Sequence, residues 1–314
     1  MTGYIIRRVG QSIIVLIIVS MITFLLLHLL PGSPAKAELG LKATPASIAA
    51  FNKLNGFNKP VWYQYYVYID HLVHGNLGFS YVENASVAQL FAARFPKSML
   101  LVGLALLVAV VLAIPLGVYQ AYKRNSIGDY TLTGVSFTLY SFPTFWLGII
   151  LIDAFAIRVG VLPPTAPSGN SIGAILSDWQ GLILPVLTLA LVSVASFSRY
   201  MRSSMVDSMA QDFIRTARAK GLSERAVLLV HALRNSLIPM ATLIGLSLPG
   251  ILGGALVTET VFNYPGVGLL FFQAAGKSDF PVLLGLTLVG AVGVVAGNFL
   301  ADLLYAVLDP RIRY

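Results

Sequence analysis

The chain of 314 residues contains no cysteine and very little charge. Without cysteine there is no disulfide, no thiolate metal site and no cysteine nucleophile. Charged residues make up 11% of the chain and hydrophobic ones 57%, whereas a soluble domain carries about 25% charged residues. So little polar surface cannot coat a globule of this size, and the chain reads as a multi-spanning membrane protein. Histidine is also scarce: His28, His71, His74 and His231. His71 and His74 are spaced to share a helix face, but two histidines do not close a metal site, so no metal is expected. A phosphate-binding loop of the form G-x-x-x-x-G-K-[ST] is missing. The Gly-Val-Gly at 266–268 follows a proline and precedes no Lys-Ser or Lys-Thr, so nucleotide is not expected there.

What is abundant is long apolar sequence. Six charge-free stretches lie between Arg8 and Lys36, Lys97 and Lys123, Asp129 and Asp153, Asp178 and Arg199, Arg234 and Glu259, and Asp279 and Asp302. About 20 apolar residues cross a bilayer core as a helix. The short alternating segments of a membrane β-barrel are not seen. These runs predict an all-α membrane protein with helices at 9–30, 98–121, 131–152, 181–198, 236–258 and 281–304. The first run exceeds the roughly 7–15 apolar residues of a signal-peptide core and is expected to be a retained helix.

The net charge of +8 would raise nucleic acid for a soluble protein. In a membrane protein it records topology and contact with anionic lipid. Arg7, Arg8, Lys123, Arg124, Arg199, Arg202, Arg215, Arg218, Lys220, Arg225, Arg234, Arg311 and Arg313 fall on one side, in short loops and at the termini. By the positive-inside rule that side is cytoplasmic, with both termini. The other side holds one insertion, 31–97, with "KPVWYQYYVYIDHLVHGNLG". Its dense aromatics suit an interfacial helix with rings at headgroup depth, or a docking surface for an external partner.

Polar or small residues near the spans are the remaining candidates. Asp153 with Arg158 reads as an interfacial ion pair, and Asp302 as a helix-end group. Glu259 leads out of the fifth span and is a candidate external gate. The fifth span carries "SLPGILGGALV", and its Pro249, Gly250 and Gly253 suggest a mobile, cavity-lining helix.

The stretch "DFIRTARAKGLSERAVLLVHALRN" stands out in the loop 199–234. Good helix formers run up to Gly221, where a left-handed residue ends a helix, and Ser223 can cap the next. Phe213, Ala217 and Leu222 give it an apolar face among basic residues. It suits either docking on another protein or lying on anionic lipid.

This stretch resembles the coupling loop of permeases of binding-protein-dependent ABC importers. Aligned on Gly221, it keeps the second Ala of the Glu-Ala-Ala motif as Ala217 and the later Leu as Leu233. Arg215-Thr216 replaces Glu-Ala, and Arg234 replaces the final Pro. The variant "DFIRTARAKGLS…HALRNSLIP" is closer to the dipeptide/oligopeptide/nickel branch. "GYIIRRV", "LLPGSP", "GNLGFS", "TETVFNYPGVGLLFFQAAGKSDFPVLLG" and "DLLYAVLDPRIRY" resemble the B-type subunit of that branch, end to end.

The resemblance implies a type I importer permease fold. It has an external insertion after the first span and a cytoplasmic coupling helix between the fourth and fifth. It also implies a second permease, two cytoplasmic ATPases that hold ATP and Mg, and an external solute-binding protein. All would act at a prokaryotic cell membrane. ATPase coupling would rest on Asp212, Phe213, Thr216, Ala217, Arg218, Gly221, Leu222 and Ser223, and no cofactor or catalytic residue is implied for this chain. Di- or oligopeptides are the implied cargo, with nickel complexes, glutathione or oligosaccharides as alternatives. A secondary transporter is the remote rival, and it would show inverted repeats and paired mid-membrane ionisable groups, which the sequence does not display.

Overall fold

The computed structural model describes residues 2–29, 34–40, 43–80, 82–247 and 255–308. Five described helices are long and apolar enough to cross a membrane, and a bent pair makes a sixth if taken as one span. The helix α1 (Thr2–Leu29) is 28 residues long, about 42 Å. Among the described residues its main helix partner is the last helix of the chain, and most of its apolar surface is open.

Against α1 lies the amphipathic helix α2 (Val61–Val73). The Tyr65 hydroxyl is 2.8 Å from that of Ser20, and the rings of Tyr65 and Tyr68 sit 5.4 and 5.6 Å from Phe24. Gln64 meets His28 at 3.0 Å. The aromatic-rich stretch therefore divides: one face fastens α2 to α1, while Trp62 and Tyr66 stay open at 72% and 64% exposure.

A two-residue hairpin, β1 (Phe79–Ser80) and β2 (Ala85–Ser86), leads into α3 (Val87–Tyr122). Ser86 and Gln89 form a reciprocal capping box that starts α3. The helix begins well before 98, so the end of the 31–97 segment belongs to it. α3 packs along α6 (Gln180–Met209), and this pair forms the centre of the bundle. Ala105, Ala109, Ala113, Gly117 and Ala121 recur every fourth residue of α3 and are all buried. That spacing places them on one face, and small side chains let membrane helices approach closely. A Cβ added at Gly117 would lie 2.5 Å from the Met201 Cβ and 2.7 Å from the Ser198 carbonyl oxygen.

The third expected span, 131–152, is not one straight helix. α4 (Ile127–Ser141) and α5 (Thr144–Leu151) meet at 107°, counting the π-helical turn Ile152–Arg158 that extends α5. Pro143 lacks an N–H and disfavours helical backbone at the residue before it. Phe142 accordingly has ψ 133°. The Phe142 and Trp146 rings pack edge-on across the bend, 4.5 Å between centroids.

At the Arg-rich end, α4 is held to α6 by a bidentate pair. Arg202 donates from Nε and Nη2 to Asp129 at 2.8 and 2.7 Å. Asp129 is 1% exposed and also accepts from the Asn125 N–H. Removing one partner of a buried pair costs about 3–5 kcal/mol, because the other charge is left buried. Arg202→Met should therefore lower the thermal midpoint of the solubilised protein clearly, and adding Asp129→Leu should recover most of the loss. An unchanged midpoint for Arg202→Met would show that the pair does not hold α4 to α6.

Candidate functional site

The Arg-rich loop folds as a helical elbow. α7 (Asp212–Ala219) is joined by a tight turn to α8, which starts at Glu224–Ala226, passes a π-helical turn Val227–Ala232 and continues as Leu233–Ser247. The Gly221 N–H donates to the Arg218 carbonyl at 2.9 Å, and the Leu222 N–H to the Ala217 carbonyl at 3.4 Å. This paired closure is the Schellman arrangement, which needs a left-handed residue. Gly221 has φ +78°, and a Cβ there would meet nothing within 4 Å. Conformation, not crowding, selects glycine at this position.

Ser223 accepts from the Ala226 N–H at 3.4 Å and caps α8. Arg218 reaches across the turn and donates twice to Glu224, at 2.9 and 3.2 Å. That hydrogen-bonded carboxylate pushes the guanidinium above its ordinary range. Asp212 pairs with Arg215 at 3.2 Å, and the Thr216 hydroxyl donates to the Asp212 carbonyl.

The elbow has an inner and an outer side. Ile214 and Ala217 are buried with Met205, Val227 and Ala232. Ala217 thus does not share an outward face with Phe213 and Leu222, because the i,i+3 pair Ile214 and Ala217 is the stripe that docks α7 on the bundle. Phe213 and Leu222 remain open, at 39% and 41% exposure. Beside the elbow, Ser204 and Ser236 each donate to the other's carbonyl oxygen, at 3.0 and 3.1 Å, joining α6 to α8. Nothing in the sequence pattern singled out those serines.

On the opposite side, Glu259 is fully buried in the first turn of α9 (Leu256–Val261). It is turned into a polar knot rather than towards an open path. One carboxylate oxygen accepts from the Ser98 hydroxyl at 2.6 Å; the other accepts from the N–H groups of Gly268 and Leu269 at 2.7 and 3.1 Å. Those two amides belong to the first turn of α10 (Val267–Gly276), whose free donors and positive end favour an anion. Within Gly-Val-Gly, the Gly268 N–H thus goes to the chain's own carboxylate, the Val267 N–H to the Ser98 hydroxyl at 2.8 Å and the Gly266 N–H to the Tyr264 carbonyl at 2.7 Å. Gly266 is required by space, since a Cβ would lie 2.4 Å from the Glu259 carboxylate. Tyr264 donates to the Lys97 carbonyl at 2.7 Å, and the Ala166 N–H to the Phe262 carbonyl at 2.8 Å.

The last helix, α11 (Phe280–Leu308), begins nearby. Ser80 donates to Asp279, and Lys277 pairs with Glu83 at 2.7 Å. Burial pushes the Asp279 carboxyl up, against the hydrogen bond from Ser80. The "GNLGFS" and "GKSDF" stretches, distant in sequence, are thus one joint. Asp153 and Arg158 pair at 2.6 Å. Pro249, Gly250 and Gly253 lie outside the described residues.

Comparison with known proteins fits this architecture. Residues 113–314 match the model of the binding-protein-dependent transport system inner membrane component, and residues 1–102 match that of the corresponding N-terminal membrane component. The chain belongs to this permease family. It is 39% identical over 316 residues to the oligopeptide transport system permease protein AppB of Bacillus subtilis, covering all of both chains. It is 38% identical over 314 residues to the glutathione transport system permease protein GsiC of Escherichia coli O6:H1, again covering both chains fully. The dipeptide transport system permease protein DppB of Escherichia coli K12 is 36% identical over 337 residues, with 100% of this chain and 99% of that one covered. The permease has the type I importer fold and is a multi-pass component of a binding-protein-dependent transport system, not itself an enzyme.

Proposed function

We propose that this permease forms half of the translocation pathway of an ATP-driven importer of di- or oligopeptides, and that the α7–α8 elbow is where a cytoplasmic ATPase grips it. The carrying observation is the elbow itself: a glycine-set turn with its inner side packed into α6 and α8, and Phe213 and Leu222 left open. A push on those residues would reach α6 and α8 through Ile214 and Ala217. It would then reach α4 through Arg202 and Asp129. Asp212, Thr216, Arg218 and Ser223 shape the elbow, while Ala217 anchors it. ATP and Mg are held by the partner ATPases, and this chain holds no cofactor. A homologous second permease completes the pathway, and a solute-binding protein docks from outside. Peptide cargo is supported by the relatives named for oligopeptide and dipeptide transport; the glutathione relative keeps a modified peptide as the second reading.

The Arg-rich side and both termini face the cytoplasm of a prokaryotic cell, and the 31–97 insertion faces outward. The absence of native cysteine makes the orientation directly testable. Cysteines at Ala49 and Ala219 should differ, with only Ala49→Cys labelled in intact cells by an impermeant thiol reagent. Labelling of Ala219→Cys alone would invert the topology.

The functional test uses the complete complex in liposomes. Peptide-loaded binding protein should stimulate ATP hydrolysis and drive peptide uptake, and the purified permease alone should do neither. A ligand shifts a conformational equilibrium only through different affinity for the two states, so the loaded binding protein and the ATP-bound ATPases should favour the same outward-open form. Uptake by the single chain under a proton or sodium gradient would replace this reading with a secondary transporter.

A further inference from the structure

Arg199 lies one turn before Arg202 on α6 and points the other way. Arg202 reaches Asp129 at the start of α4. The Arg199 Cζ lies instead 4.8 Å from the ring centre of Phe137 and 5.1 Å from that of Tyr140. Those rings stand roughly two to three turns further along α4, about 12–16 Å from Asp129. The guanidinium therefore extends away from the Arg-rich end and towards the middle of the membrane. An arginine facing lipid near a helix end extends to the nearer headgroups. A charge aimed at membrane depth is stable where it lines a water-filled cavity.

Two further observations support an open, unsatisfied site. Phe137 and Tyr140 are each 54% exposed, so the face that carries the cation is uncovered in the chain. Arg199 lies over the two rings, and no carboxylate pairs with it among the described residues, as also holds for Arg94, Arg124, Arg225 and Arg234. Ring faces hold a guanidinium in place without using its in-plane donors. Those donors match a carboxylate or phosphate in bidentate fashion.

We propose that Arg199, held by Phe137 and Tyr140, is a contact in the translocation path for the carboxylate of the transported peptide. This rests on the peptide-importer reading above. An ion pair at an open, wet surface is weak, which suits a site that cargo must leave, and the two rings offer apolar contact to peptide side chains of any kind. A lipid phosphate presents similar oxyanion chemistry, and lipid composition separates the two sources.

The test uses the complete complex in liposomes of phosphatidylcholine alone, with a radiolabelled dipeptide. Arg199→Gln should lower peptide moved per ATP hydrolysed about tenfold while leaving the stimulation of ATPase by loaded binding protein intact. Arg199→Lys should restore most of the transport. Phe137→benzoylphenylalanine should crosslink the labelled peptide during turnover, and do so less when combined with Arg199→Gln. Unchanged peptide per ATP in the Gln variant would overturn the proposal. So would equal loss in the Gln and Lys variants without any crosslink, which would mark a packing role. Lost ATPase stimulation would assign Arg199 to assembly instead, and a defect seen only with phosphatidylglycerol present would assign it to lipid. If the unaltered complex moves no peptide at all, the importer reading fails and takes this proposal with it; in each other case that reading stands.

Discussion

Glu259→Ala should strip the insertion-side knot of its acceptor and lower the thermal midpoint of the solubilised permease complex by on the order of 5–10 °C. Three donors converge on that carboxylate: the Ser98 hydroxyl and the N–H groups of Gly268 and Leu269. All three bonds are buried. Each orphaned buried donor costs about 1–3 kcal/mol, so the sum is roughly 3 kcal/mol or more. The loss is concentrated where α9, α10 and the start of α3 meet, so peptide uptake should fall with stability. Glu259→Gln keeps one acceptor oxygen but brings an NH2 that meets donors, and should fall between the two. Gly266→Ala should act in the same direction by crowding the carboxylate. Thermal scans followed by fluorescence-detected size exclusion would measure the order. A Glu259→Ala midpoint within about 2 °C of the unaltered protein would show that the knot does not hold the cap.

Gly221→Val should uncouple the transporter while leaving its insertion into the membrane intact. A left-handed backbone costs an L-residue roughly 1–2 kcal/mol, and a β-branched one more. A Cβ added at Gly221 would meet nothing within 4 Å, so the effect falls on the turn angle between α7 and α8. A penalty near 1.4 kcal/mol corresponds to tenfold, and peptide uptake should drop by about that factor or more. Asparagine tolerates the left-handed region, so Gly221→Asn should retain more activity than Gly221→Val. Uptake and binding-protein-stimulated ATP hydrolysis measured together would separate lost coupling from lost protein. Normal values of both for the valine variant would remove the elbow from the coupling path.

How far each feature was readable follows from the range of the interaction behind it. The Gly221 turn and the Ser223 cap are made by residues within one or two turns of each other, and their residue types state them. The break at Pro143 is announced by the proline, but its 107° angle depends on what α4 and α5 pack against. Ala217 was grouped with Phe213 and Leu222 by apolarity, whereas its spacing from Ile214 was the sounder guide to an inward stripe. The every-fourth-residue run of Ala105, Ala109, Ala113 and Gly117 is a legible signal for close packing on α6.

Glu259 and Arg199 were not legible in this way. An acidic residue after a span reads equally as a gate or as a structural acceptor, and its partner Ser98 lies in another helix. Arg199 sits among a dozen cations on the expected cytoplasmic side, and only side-chain direction separates it from them. The sequence by itself determined that this chain crosses a membrane many times, which side its charge favours and where the elbow bends, because bilayer transfer, charge distribution and turn chemistry act locally along the chain. Only the tertiary structure decided that Glu259 closes a buried knot while Arg199 lies over the exposed rings of Phe137 and Tyr140, because a charged group's role depends on which distant groups share its surroundings.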